Sequence, residues 1–172
     1  MRAIAGRIGY APGSIYNAVG DLDAVLLRVN AATLETLAVE LEAVLERFGP
    51  ETDITARALA LADSYMRFVE KNARLWASVL ERVPRAEDPV PDWYAAPRLR
   101  LIESVSAAIA PVFPQVKARR RAVVALWAAL QGVAALAIGG NLAFAAGEIA
   151  PRDIARSIVL RYLTGRETAD KA

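Results

Sequence analysis

Apolar positions recur at helical spacing along most of this chain, and no stretch alternates with the period of two that marks a half-buried strand. The clearest run is residues 21–48, where Leu22, Val25, Leu34, Leu37, Leu41 and Val44 fall on one stripe. That helix extends about 40 Å at 1.5 Å per residue, and Gly49-Pro50 stops it. Thr52 or Asp53 can cap the next helix, which runs to about Asn72 and turns Ala58, Leu61, Ala62, Tyr65, Met66 and Val69 inward. Residues 73–82 form a short helix with Leu75, Trp76, Val79 and Leu80 inside. Residues 83–97 hold four prolines and read as the long loop of the chain. Beyond it, residues 98–112 carry Leu99, Ile102, Val105, Ser106 and Ile109 on one side. A long apolar helix over 116–138 ends at Gly139-Gly140, and Pro151 opens a last helix that Gly165 stops. The fold class expected is all-α.

The first twenty residues are punctuated more finely. Residues 2–8 form a short helix with Ile4, Ala5 and Ile8 on one side. Gly9 permits a left-handed turn, and Pro12 suits a first helical position. Ile15 and Val19 then face inward on a second short helix, Gly20 ends it, and Asp21 is a good N-cap for the long helix. Two short helices around a glycine turn match helix-turn-helix geometry, in which the second helix enters the major groove.

Composition narrows the chemistry. The chain has 172 residues, 55% hydrophobic and 23% charged, enough for one substantial core with at most a small appendage. It contains neither Cys nor His, which removes thiol nucleophiles, disulfides, Ser-His-Asp triads and the usual zinc ligand sets. No cofactor or metal is expected, and an enzyme finds no support. Net charge is +2, so nucleic-acid binding must come from a local patch. No apolar core follows a charged start at the first residues, and the expected location is the cytoplasm.

Residues 122–147 carry no charge and follow the basic run KARRR at 117–121. A bilayer span needs roughly 20 apolar residues. Gly139, Gly140 and Asn141 interrupt this one, Gln131 lies inside it, and alanine dominates it. The expectation is a helix buried between its own core and a second subunit, not a membrane segment. For a ligand site, aromatic and polar groups on the same core face are the candidates: Tyr65, Met66, Trp76, Trp127 and Gln131, with Phe68 and Trp93 behind them. Plain core packing accounts for each of them equally well. Asp63 is placed on a polar surface, and Glu42 and Glu46 on a solvated face.

One resemblance joins these parts. Ile4, Ala5, Gly9, Gly13, Ser14, Ile15 and Tyr16 fit the IA-x-x-x-G-x-x-x-G-[ST]-[LI]-Y pattern of the tetracycline-repressor (TetR) family of bacterial regulators. Asn17, the run GDLDAVLLRVNAATL, the segment SYMRFVEKNARLWASVL and the apolar region from Ala122 resemble a branch with a hydrophobic C-terminal ligand-binding domain. The chain departs from the pattern in having Ala11 for the usual Ser, Val19 for Phe and Leu22 for a phosphate-contacting Lys. Its second short helix has no Arg or Lys. Members normally carry a further helix before this point, so residues 1–27 are expected to be a partial DNA-binding domain. Residues 28–166 would be the ligand-binding and dimerisation domain, and residues 167–172 a frayed tail. Without that helix, Ile4, Ile8, Ile15 and Val19 would be exposed and the segment before about Asp21 loose.

The resemblance implies a ligand-responsive DNA-binding regulator, acting as a repressor. Ser14, Tyr16 and Asn17 would read bases, Gly13 would let the backbone approach, and Arg2 and Arg7 would hold phosphates. A small apolar effector would bind the core, and residues 116–138 and 152–164 would pair into a homodimer. The alternative is an all-α homodimer that binds a ligand or a protein and has lost DNA binding with its first helix.

Overall fold

The computed structural model describes residues 2–49, 52–81 and 90–165. The described residues form α1 (Arg2–Ile8), α2 (Pro12–Val19), α3 (Leu22–Leu45), α4 (Ile54–Lys71), α5 (Ala73–Glu81), α6 (Asp92–Ile109), α7 (Val116–Ile138), α8 (Asn141–Ala146) and α9 (Pro151–Thr164). No strand occurs among them. The chain is all-α.

Local chemistry sets the helix ends. Gly9 and Gly20 take φ of 74° and 83°, which close α1 and α2 in a region that side-chain-bearing residues rarely occupy. The Asp21 carboxylate accepts the Ala24 amide at 2.8 Å and caps α3. Asp53 does the same for α4, accepting the Thr55 and Ala56 amides at 3.2 Å each. Of the two cap candidates, Thr52 and Asp53, the aspartate serves.

α3 is the spine of the molecule. It packs along α6 and against α4 and α5, while α4 lies against α9 and α9 against α7. Leu37, Met66, Val69 and Ile109 are fully enclosed between these helices. One apolar cluster runs from Leu34 on α3 to Leu163 on α9. Burial of that surface is the main favourable term holding the helices together.

Several expectations are corrected here. α6 starts at Asp92, so residues 92–97 are helical and not loop; the earlier part of that predicted loop, residues 83–89, lies outside the described residues. Pro97 inside the helix removes a hydrogen bond to the carbonyl four residues back. Burial of Pro97 and of Tyr94, which is 1% exposed, offsets the loss. α8 was not anticipated; it follows the αL turn at Gly140. Leu75 and Leu99 are exposed, because α5 and α6 turn Trp76, Val79, Ser104 and Ala108 to the core instead, and Ile102 is exposed at the edge of the space between α6 and α7.

Charge placement is corrected too. Asp63 is not free on a polar surface but pairs with Arg156, tying α4 to α9. Glu42, with Glu35, grips Arg100 on α6, so this face of α3 is an interhelical contact. The predicted tail, residues 167–172, lies outside the described residues.

Candidate functional site

The helices of the body do not close completely on one another. Between α3, α4, α5, α6 and α7 lies a cavity of about 340 Å³, within the range that small-molecule sites occupy. α3 supplies Leu34, Leu37 and Leu41, α4 supplies Leu61 and Tyr65, and α5 supplies Trp76. α6 adds Arg98, Leu101 and Val105, and α7 adds Val123, Leu126, Trp127, Leu130 and Gln131. The walls are overwhelmingly hydrocarbon.

A few polar groups break that surface. The Tyr65 hydroxyl donates to Gln131 Oε1 at 3.0 Å, joining α4 to α7 across the cavity wall. Burial holds the Tyr65 phenol protonated well above the usual range, with the Trp76 indole pulling weakly the other way. Trp76 meets Tyr65 edge-on, ring centres 5.5 Å apart, and Phe68 edge-on at 5.9 Å. Its buried indole N–H is turned toward the Tyr65 hydroxyl without completing strict hydrogen-bond geometry.

Of the ligand candidates read from the sequence, the structure brings Tyr65, Trp76, Trp127 and Gln131 to this one cavity. Met66 is not among the lining residues. It is wholly buried on α4, next to Tyr65 in sequence but about 100° around the helix, and belongs to the solid core. Gln131 is half-buried, and Trp127 is 52% exposed, so these α7 residues form part of the rim. Phe68 is core, and Trp93 lies on the outside of α6 with the Arg28 guanidinium 4.9 Å from its ring centre.

Arg98 was overlooked. It is half-buried at the cavity edge with its guanidinium carbon 5.5 Å from the centre of the Tyr94 ring. The i, i+4 spacing of Tyr94 and Arg98 was a visible signal, hidden by reading the stretch up to Pro97 as loop. Among the described residues, no group of carboxylates is arranged to hold a metal ion.

At the other end of the molecule, α1 and α2 cross through the short turn at residues 9–11 and pack on each other around Ala5 and Ile15, which are 1% and 7% exposed. Arg2 and Arg7 on α1, and Gly13, Ser14, Tyr16 and Asn17 on α2, are all solvent-exposed. Ile4 and Val19 are half-buried, whereas Ile8 is 56% exposed. A Cβ built on Gly13 would meet nothing within 4 Å, so that helix face is open. α2 ends at Val19, two residues before Asp21, the cap of α3, and α3 forms a wall of the cavity further along.

Comparison with known proteins agrees with this architecture. Residues 58–161 match the family model described as tetracyclin repressor-like, C-terminal domain. A protein of unknown function from Rhodococcus sp. RHA1 has the same fold, with a TM-score of 0.74 at 19% identity over 95% of this chain and 82% of that one. The TetR family transcriptional regulator PfmR from Thermus thermophilus superposes with a TM-score of 0.64 at 18% identity, over 92% of this chain and 84% of its own. No curated protein gives a significant sequence match. With the family model spanning well over half of its length, the chain belongs to the TetR (tetracyclin repressor-like) family of regulators.

Proposed function

We propose that this protein is a ligand-responsive DNA-binding transcriptional regulator that represses by occupying its operator. The observation that carries the reading is the double role of α3: its N-terminus directly follows α2, and its middle walls the cavity with Leu34, Leu37 and Leu41. A small apolar effector filling that space would press on the helix that holds the reading head. Such a ligand must bind two positions of α3 with different affinity, or it shifts nothing.

In this reading residues 1–27 read DNA and residues 28–166 bind effector and dimerise. Ser14, Tyr16 and Asn17 face bases, Gly13 lets the backbone approach, and Arg2 and Arg7 face phosphates. The homodimer forms through α7 and α9. α7 is long and apolar enough by composition to cross a membrane. In the proposed dimer its outward residue Leu136, together with Leu160 on α9, is instead covered by the same helices of a second copy. Two reading heads would then meet half-sites about one helical turn of DNA, roughly 34 Å, apart. The proposed location is the cytoplasm.

A second reading has its own support: α2 has no Lys or Arg, and the chain carries a net charge of only +2. It is a ligand- or protein-binding homodimer that does not engage DNA. Fluorescence anisotropy on duplexes from the protein's own upstream region, at two salt concentrations, separates them. Saturable binding that survives nonspecific competitor and weakens with salt supports the regulator. Binding that competitor abolishes, or none, overturns DNA recognition by this chain and favours the second reading.

A further inference from the structure

The chemistry around the cavity defines what it can accept. Among the described residues that line it, Arg98 is the one that is charged, and none is Asp or Glu. Elsewhere in the body arginines near carboxylates are committed: Arg100 to Glu35 and Glu42, Arg156 to Asp63. Arg98 has no carboxylate partner among the described residues and rests against the Tyr94 ring. The other polar groups at the cavity wall are the Tyr65 hydroxyl and the Gln131 amide. The Trp76 indole N–H, on a residue 2% exposed, is turned toward the Tyr65 hydroxyl and not available to a ligand. The Gln131 amide oxygen already accepts from Tyr65, which leaves its NH₂ as the end available to a ligand.

A cavity with hydrocarbon walls, one guanidinium and, among the described residues, no carboxylate is mismatched to a cationic ligand. It matches an acceptor-bearing anion. Resting on the effector reading above, we propose that the cavity takes an amphipathic carboxylic acid. The hydrocarbon body fills the space between Leu37, Leu61, Val105 and Leu126, and the carboxylate draws Arg98 into a charge-assisted pair.

The test compares decanoate with its methyl ester by isothermal titration calorimetry, below the concentration at which either aggregates. The protein is the full chain, then Arg98→Gln, Arg98→Lys and the cavity-filling Leu130→Trp, each checked for helicity and melting. The expected result is that decanoate binds about tenfold or more tightly than the ester. Arg98→Gln removes that preference while leaving the ester unchanged, Arg98→Lys restores part of it, and Leu130→Trp weakens both. Equal affinity of acid and ester, both lost in Leu130→Trp, overturns the carboxylate while leaving the cavity as an effector site. Decanoate binding indifferent to both positions, or binding of neither probe, overturns both. If the variants fail to fold, the acid-to-ester ratio on the unaltered chain still decides: a ratio near one sinks the proposal.

Discussion

The two ends of α3 belong to differently built regions. At its N-terminus, α1 and α2 rest on one another around two small apolar contacts, Ala5 and Ile15, and contribute no residue to the main apolar cluster. From Leu34 onward the same helix is embedded among α4, α5 and α6. The difference teaches where stability resides and where motion is inexpensive. The pair α1–α2 need only keep its local turn geometry, which glycines and caps define. The body must hold a cavity open, and does so with a thick shell of packed side chains around it.

Native-state hydrogen exchange should show the largest contrast. Amides of α1 and α2 are expected to exchange through local openings at least about 4 kcal/mol less costly than those of α4 and α7. Protection in α1 equal to that in α4 would break the comparison outright.

Core truncations sharpen it next. Met66→Ala removes a side chain with no exposed surface at all and is expected to lower the urea unfolding free energy by about 2–5 kcal/mol. Ile15→Ala deletes the largest buried residue of the head. If the head opens on its own, that change leaves the main unfolding transition within about 0.5 kcal/mol while lowering protection in α1 and α2. Comparable shifts for the two variants would mean that head and body unfold as one.

What was legible in the sequence divides along the same line. The limits of α1 and α2 follow from Gly9, Pro12, Gly20 and Asp21, whose effects are local and require no knowledge of neighbours. α7 was equally plain, bounded by Pro114 on one side and Gly139-Gly140 on the other. The start of α6 was not, because prolines argue locally against a helix while the burial of Tyr94 that overrides them is tertiary. Residue type alone singled out Tyr65, Trp76, Trp127 and Gln131, but not that Tyr65 and Gln131 bond across 66 positions of chain. Nor could it separate Met66 from them, since a cavity is a place where atoms are missing and helical periodicity records only which face points inward. Arg98 illustrates the same limit: its meaning lies in having no carboxylate beside it among the described residues.

The caps offer a medium-sized probe of the boundary. Asp53→Ala removes an N-cap inside the body and should lower global stability by about 1 kcal/mol, read from urea melts. Asp21→Ala removes an equivalent cap at the junction of head and body. Its expected effect is faster exchange in α2 and the first turn of α3, with a smaller change in the global midpoint. A full cap-sized loss in the global transition at Asp21 would place the junction inside the body's cooperative unit.

The smallest effect concerns how α3 is held to α6. The hydrogen bond from Arg100 keeps the Glu42 carboxyl below the usual range, against a lesser upward push from burial, and the charge of Arg100 adds to it. A depressed carboxylate stabilises the fold above its unfolded pKa, because the folded state holds the ionised form more tightly. That contribution fades as pH falls through the lower, folded value. The stability difference between the unaltered chain and Glu42→Gln should therefore be constant near neutrality and shrink from about pH 4.3 downward. High salt should reduce it at pH 7, since the pair is open to solvent. The same pair separates the two regions once more: Glu42→Gln loosens α3 against α6 far along the helix from α1 and α2, so exchange in α1 and α2 should not change. If it rises there instead, a disturbance on the cavity side of α3 does reach the head, which is the coupling an effector would need.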